Sequence, residues 1–316
     1  MRIGIIDLGT NTFNLLIVDI TDEKYIKKVY KSNLPVKLGK EGFLDGLISP
    51  DAIVRGIEAL KFHKNSINEH SCDKIFAFAT SAIRSAVNGK DFTVLVKNKL
   101  DIDVQIISGD TEAELIYFGV KNAINLSNET VLIIDIGGGS TEFIIANNNK
   151  LFWKKSYPLG IARIIEKFHP ADPISEAEIL QIENYLQSAL NDLLSEVSKY
   201  KIETLIGSSG SFDTFASMVS LALKKEKSEN QAFYKISISD FDKLHNTLLK
   251  STFSERANME GLEPVRIEMI VLASIFTKFI IKKLNISKLY QSEYAIKEGI
   301  AFSFIQNELK TTHERI

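Results

Sequence analysis

The sequence predicts an α/β chain built from two similar domains. Short β-branched runs alternate with amphipathic stretches along the whole chain. A strand–turn–strand design headed by aspartate stands near the N-terminus and returns 128 residues later, at 135 against 7. The 316 residues are twice the length of an ordinary domain of about 150.

Each element follows from its residues. Ile3–Ile20 reads IGIIDLGTNTFNLLIVDI, two apolar runs joined by Asp7-Leu8-Gly9-Thr10-Asn11-Thr12, which is a β-hairpin pattern with Asp7 where the first strand ends. Pro50–Asn68 sets Ile53, Ile57, Leu60 and Ile67 near helical spacing. Lys74–Ala79 is a strand running into Thr80-Ser81. Val104–Ile107 is a short strand ending at Ser108-Gly109, and Glu112–Val120 is a helix. The hairpin returns at Val131–Ala146, VLIIDIGGGSTEFIIA, where aligning Asp7 with Asp135 also matches Ile5 with Ile133, Ile6 with Ile134 and Gly9 with Gly137. Ser175–Tyr200 reads as one long helix opened by the capping-box pattern Ser175-Glu176-Ala177-Glu178. Thr204–Ile206 is a strand that breaks into the turn Gly207–Ser211 before a further helix. Met269–Ile281 is too short to span a bilayer and carries Lys278, so it reads as a buried helix. Polar Asn122–Glu129 marks a boundary, dividing residues 1–124 from 125–296, and the tail 297–316 is expected to pack back on the first domain.

Composition excludes several classes. Lys plus Arg is 38 and Asp plus Glu is 40, a net charge of −2, so the chain has no global attraction for nucleic acid or acidic lipid and must meet any anion locally. The single cysteine, Cys72, excludes a disulfide framework and a cysteine metal cluster, and the five histidines share no metal-ligand spacing. Serine-elbow, P-loop and dinucleotide fingerprints are absent from the sequence. Asp7 interrupts the apolar stretch that a signal peptide would need. The expectation is a soluble, cytoplasmic protein with neither a nucleic-acid nor a membrane partner.

Phosphate is bound by backbone N–H groups converging at a tight turn or helix start. Three segments that follow strands suit this: Gly9, Thr10, Asn11 and Thr12; Gly137, Gly138, Gly139 and Ser140; and Gly207, Gly210 and Ser211. A carboxylate beside such a nest repels the substrate unless a cation lies between them, and Mg²⁺ takes one or two carboxylates plus phosphate oxygens and water. Asp7, Asp135 and Glu142 are the candidate ligands, although Asp7 and Asp135 could equally cap their own turns. Only seven of the basic residues are arginine, so Arg84, just after a strand, stands out as a phosphate ligand; Arg163 and Arg266 suit surface pairing as well.

These residues resemble the exopolyphosphatase and guanosine pentaphosphate phosphohydrolase family of the actin-like ATPase superfamily. The resemblance runs from Asp7–Thr12 through Ala79–Arg84 with Asn88-Gly89, Ile107–Ala113, Asp135–Glu142, Pro158–Gly160, Gly207–Ser211, and Gly261-Leu262 with Pro264 and Arg266, to Lys297–Gly299. Ser108-Gly109 with Glu112-Ala113, placed before DIGGGSTE, is specific to that family. It implies an α/β fold of two ribonuclease-H-like domains with an interdomain cleft. The activity it implies is an exopolyphosphatase, a hydrolase that splits the terminal phosphoanhydride of inorganic polyphosphate.

The same resemblance assigns roles. Glu112 would activate water, and Arg84 would offset charge on the terminal phosphoryl group. Amides of Gly9–Thr12 and Gly137–Ser140 would cradle successive phosphates, with Gly207, Gly210 and Ser211 on the chain beyond. Asp135 and Glu142, with Asp7, would hold Mg²⁺, and K⁺ is a candidate activator. Guanosine pentaphosphate 5′-phosphohydrolase is the alternative, and a non-catalytic polyphosphate- or alarmone-binding protein a further one. A sugar kinase would need insertions for which 316 residues leave little room. A homodimer is expected, with apolar helices such as Met269–Ile281 available for its interface. Asn14 and Lys297 stand where the family often has arginine, Thr111 where it has an acid, and Ser209 where it has glycine.

Overall fold

The structure, a computed structural model, describes residues 1–21, 25–39, 46–224 and 232–313. The chain forms two compact units, Met1–Gly119 with Ala295–Ile316, and Val120–Tyr294.

In the first unit, strands β1 (Arg2–Leu8), β2 (Thr12–Ile20), β3 (Ile26–Pro35), β4 (Lys74–Ala79) and β5 (Val104–Ile106) form a sheet in the order β3-β2-β1-β4-β5. The hairpin strands β1, β2 and β3 pair antiparallel, while β4 and β5 join β1 in parallel. Parallel neighbours need helical crossovers. Helix α1 (Pro50–Glu69) makes the first, and α2 (Ser81–Ser85) with α3 (Gly89–Leu100) the second; α4 (Gly109–Ala123) follows β5. Ser49 caps α1 by accepting from the Ala52 amide, with Pro50 opening its first turn. Phe13, Leu15 and Ile17 from the hairpin pack with Leu60 and Ile67 of α1 and Phe92 and Val96 of α3. Asn88 ties this layer together: its side chain accepts from the Ile48 amide and donates to the Ile48 carbonyl, both at 2.9 Å.

The second unit repeats the plan. Strands β6 (Val131–Ile136), β7 (Thr141–Ala146), β8 (Leu151–Tyr157), β9 (Thr204–Ser208), β10 (Phe233–Ile236) and β11 (Lys288–Ser292) form a sheet ordered β10-β11-β9-β6-β7-β8. Without the added β10, this is the first sheet again, with the same strand directions. Both sheets therefore carry the ribonuclease-H-like order. Helices α5 (Ile161–Phe168), α6 (Glu176–Ala189) and α7 (Asn191–Val197) lie between β8 and β9, and α8 (Ser209–Ala222) follows β9. After β10 come α9 (Ile238–Lys250), α10 (Phe253–Arg256) and α11 (Ile270–Leu284).

Three expectations need correction here. The long helix over Ser175–Tyr200 is two helices broken at Leu190, whose φ of −107° and ψ of 15° leave the helical region. The apolar series Leu186, Leu190, Leu193 and Val197 stays buried through the break, so periodicity conceals it. The predicted capping box is present, with Ser175 and Glu178 each bonded to the other's backbone. The predicted turn Gly207–Ser211 is far shorter than expected, confined to the left-handed Ser209 at φ +68°: β9 runs to Ser208 and α8 begins at Ser209. Finally, α11 is buried as expected, but it packs against α5, α6 and α9 inside its own unit, so its apolar surface is not open to a second chain. Among the described residues no helix is long and apolar enough to cross a membrane.

Helix α12 (Ile296–His313) belongs to the first unit, and residues 314–316 of the predicted tail lie outside the described residues. A Cβ at Gly299 would stand 1.8 Å from the Leu115 carbonyl oxygen, and one at Gly119 2.2 Å from that of Ala295. Only glycine lets α4 and α12 approach this closely. Glu298 accepts from the Ala295 amide at 3.1 Å and so closes the start of α12.

Candidate active site

The two hairpins are alike in atomic detail. The Gly9 amide donates to the Thr12 carbonyl at 3.1 Å, and the Gly137 amide to that of Ser140 at 3.0 Å. A Cβ on either glycine would lie 2.9 Å from the same oxygen. Strand register pairs Asp7 with Asn14 across β1 and β2, and Asp135 with Glu142 across β6 and β7, so Asn14 is the first unit's counterpart of Glu142.

The two pairs differ in charge. Asn14 donates its amide to Asp7 Oδ2 at 3.0 Å, which gives that buried carboxylate a neutral donor. In the second unit two carboxylates stand opposite each other, 6 % and 1 % exposed, and like charges in that position repel. Hydroxyls crowd round them. Ser156 donates to Glu142 Oε1 at 2.6 Å, and Ser208 and Ser209 donate to Asp135 Oδ2 at 2.9 and 2.6 Å.

Turn direction follows from where the carbonyls go. Those of Gly137 and Gly138 accept from the amides of Ile161 and Ala162 at the start of α5, at 3.0 and 2.9 Å, and that of Gly139 accepts from Arg163 Nε at 2.8 Å. A trans peptide points its N–H opposite to its carbonyl, so the N–H groups of Gly138, Gly139 and Ser140 face away from α5. In the first unit the Thr10 carbonyl accepts from the Leu38 amide, and the Asn11 carbonyl from those of Val36 and Lys37, at 2.8 to 2.9 Å. That arrangement turns the N–H groups of Asn11 and Thr12 outward in the same way.

At the third segment the glycines make room for side chains. A Cβ at Gly207 would lie 2.0 Å from the Phe212 ring, and one at Gly210 1.8 Å from the Arg266 guanidinium. Ser211, buried in α8, donates to the Ile136 carbonyl at 3.5 Å. Burial pushes the pKa of Arg266 down, opposed by Asp213, Glu263 and Asp135. Its Nε is buried with no hydrogen-bond partner among the described residues.

In the first unit the structure brings Arg84 and Glu112 together. Ser108 starts α4: its hydroxyl accepts from the Thr111 amide at 3.1 Å and lies 2.9 Å from the Thr111 hydroxyl. Glu112, one residue on and 8 % exposed, accepts from Arg84 Nη1 at 2.8 Å, and the same nitrogen donates to the Ile107 carbonyl at 3.1 Å. The predicted phosphate-binding arginine is therefore a partner of the predicted base.

Sequence reading missed Asn14, Ser156, Ser208 and Ser209 as carboxylate partners and Arg163 as a turn anchor. Only Asn14 was within its reach, because it stands 128 residues before Glu142, the offset that relates the two aspartates. Among the described residues no group of three or more His, Cys, Asp or Glu side chains is gathered to hold a metal.

Over residues 16–308 the sequence matches the model of the Ppx/GppA phosphatase family. Exopolyphosphatase 1 of Mycobacterium leprae is 24% identical over 99% of this chain and 92% of its own length. The crystal structure of an exopolyphosphatase from Cytophaga hutchinsonii is 36% identical, covers 97% of this chain and 98% of its own, and superposes with a TM-score of 0.94. A family member from Aquifex aeolicus, 25% identical, covers 98% of both chains with a TM-score of 0.81. Matched by the family model over residues 16–308 and sharing its fold with solved members over nearly its whole length, the chain belongs to the Ppx/GppA phosphatase family.

Proposed function

We propose that this protein is an exopolyphosphatase, releasing terminal phosphate from inorganic polyphosphate with water activated by Glu112. The duplicated turn carries the reading: two hairpins, each with an aspartate at its head, turn their N–H groups outward while their carbonyls are held from behind. Each turn by itself offers converging N–H groups of the kind that bind phosphate. Relatives named as exopolyphosphatases support the hydrolase assignment.

Phosphoryl transfer to water needs an oriented nucleophile and charge neutralisation, and little else. Glu112 accepts the proton of the attacking water, held in one orientation by Arg84 at 2.8 Å. The guanidinium keeps a fixed positive charge beside the group under attack.

Asp135 and Glu142 fit a Mg²⁺ site, because two buried, register-paired carboxylates are stable together when a cation lies between them. Such an ion supplies positive charge to the phosphate oxygens. Asp7, already bonded to Asn14, is the weaker candidate ligand.

Phosphate release from inorganic polyphosphate, measured with and without MgCl₂ beside guanosine pentaphosphate, tests the reading. Ion-dependent release, faster on polyphosphate and reduced at least about 100-fold in Asp135→Asn, is expected. Release from guanosine pentaphosphate alone, or none from either substrate, would overturn it.

A further inference from the structure

Ser208 and Ser209 both depart from what local structure would ask of them. Ser208 holds the N-cap position of α8, where a serine side chain ordinarily accepts from the helix's own first amides, yet it makes no capping hydrogen bond. Its hydroxyl donates instead to Asp135 Oδ2 at 2.9 Å. Ser209 sits at φ +68°, left-handed backbone that suits glycine, and its hydroxyl donates to the same oxygen at 2.6 Å. The register of β6 against β9 brings Ser208 level with Asp135. Two unfavourable local choices that meet on one carboxylate oxygen mark a functional constraint.

We infer that Ser208 and Ser209 form a hydroxyl clamp that fixes the Asp135 carboxylate for divalent-ion binding, with Ser209 as a positioning residue kept for its hydroxyl in spite of its backbone. Two donors on Oδ2 stabilise the ionised form and hold the carboxylate plane, as outer-shell donors do for metal-binding carboxylates elsewhere. The inference rests on the reading of Asp135 and Glu142 as the ion site.

The test is equilibrium Mn²⁺ binding to the full chain, counted from the resonance of the free ion, with thermal melting in metal-free buffer alongside. Ser209→Ala keeps the strained backbone and loses the hydroxyl, whereas Ser209→Gly removes both. Both are expected to weaken Mn²⁺ binding about tenfold while still melting as folded proteins. Parent-like affinity in both variants would overturn the clamp and leave the ion site standing. Loss in Ser209→Ala with full affinity in Ser209→Gly would overturn it too, because backbone strain and not the hydroxyl would then be at work. Absence of Mn²⁺ binding by the parent would remove the Asp135–Glu142 ion site, and the clamp with it.

Discussion

Arg84 joins the proposed base to its surroundings through one nitrogen, which donates to the Glu112 carboxylate and to the Ile107 carbonyl at the end of β5. Arg84→Ala removes the cation from a carboxylate that is 8 % exposed, and a charge-assisted contact of this kind is worth about 1.5–3 kcal/mol. Turnover on polyphosphate is expected to fall by roughly 10- to 150-fold, and Arg84→Lys to recover only part, because a lysine cannot reproduce the guanidinium fork. Steady-state phosphate release measures both, and an unchanged rate in Arg84→Ala would leave Arg84 as a tie between β5 and α2. At this scale the legible part of the site was local. Asp7, Asp135 and the glycines announced themselves by repeating at one offset, whereas the serines on Asp135 are brought to it by strands some 73 residues apart in sequence, and no pattern along the chain encodes that meeting.

Elements are held by features of two kinds, caps and close approaches. The approach of α4 and α12 depends on glycine, because a Cβ at Gly299 would meet backbone only 1.8 Å away, which cannot turn aside. Gly299→Ala is expected to destabilise the fold by about 1–3 kcal/mol, read as a lower denaturant midpoint with an unchanged slope. An unshifted midpoint would show that the two helices part without cost. Since α4 carries Glu112 in its first turns, activity should fall in the same variant. Strands and the hairpins were legible from alternation and apolar runs. The glycines of Gly207–Ser211 misled, because a glycine that accommodates Phe212 or Arg266 looks in sequence like one that turns the chain. The break at Leu190 stayed hidden because its apolar side chain keeps the helical register.

At the scale of the whole molecule the chain is one fold written twice, with the same strand order, the same hairpin hydrogen bond and the same aspartate in each unit. Two buried histidines, His63 and His245, make the fold sensitive to acid. His245, 3.0 Å from the Ser274 hydroxyl, is pushed down to about 4 by burial and by Lys278 and Lys282, against Asp242. His63 is also pushed down by burial, its Nε2–H donating to the Phe13 carbonyl at 3.1 Å. Both fold neutral, so the unfolded chain takes up protons first. Their contribution to stability is therefore flat above the ordinary histidine value of 6.5, falls below it, and for His245 levels off near 4. Melting temperature followed from pH 7.5 to pH 4 is expected to fall less steeply in His245→Gln than in the parent; equal slopes would contradict this assignment.

Glu112→Gln bears most directly on the mechanism, because glutamine keeps the shape and an acceptor for Arg84 while losing the ability to take a proton. Phosphate release from inorganic polyphosphate is expected to fall by roughly 10²- to 10⁴-fold, with polyphosphate affinity nearly unchanged. Turnover equal to the parent's would contradict the account at its centre.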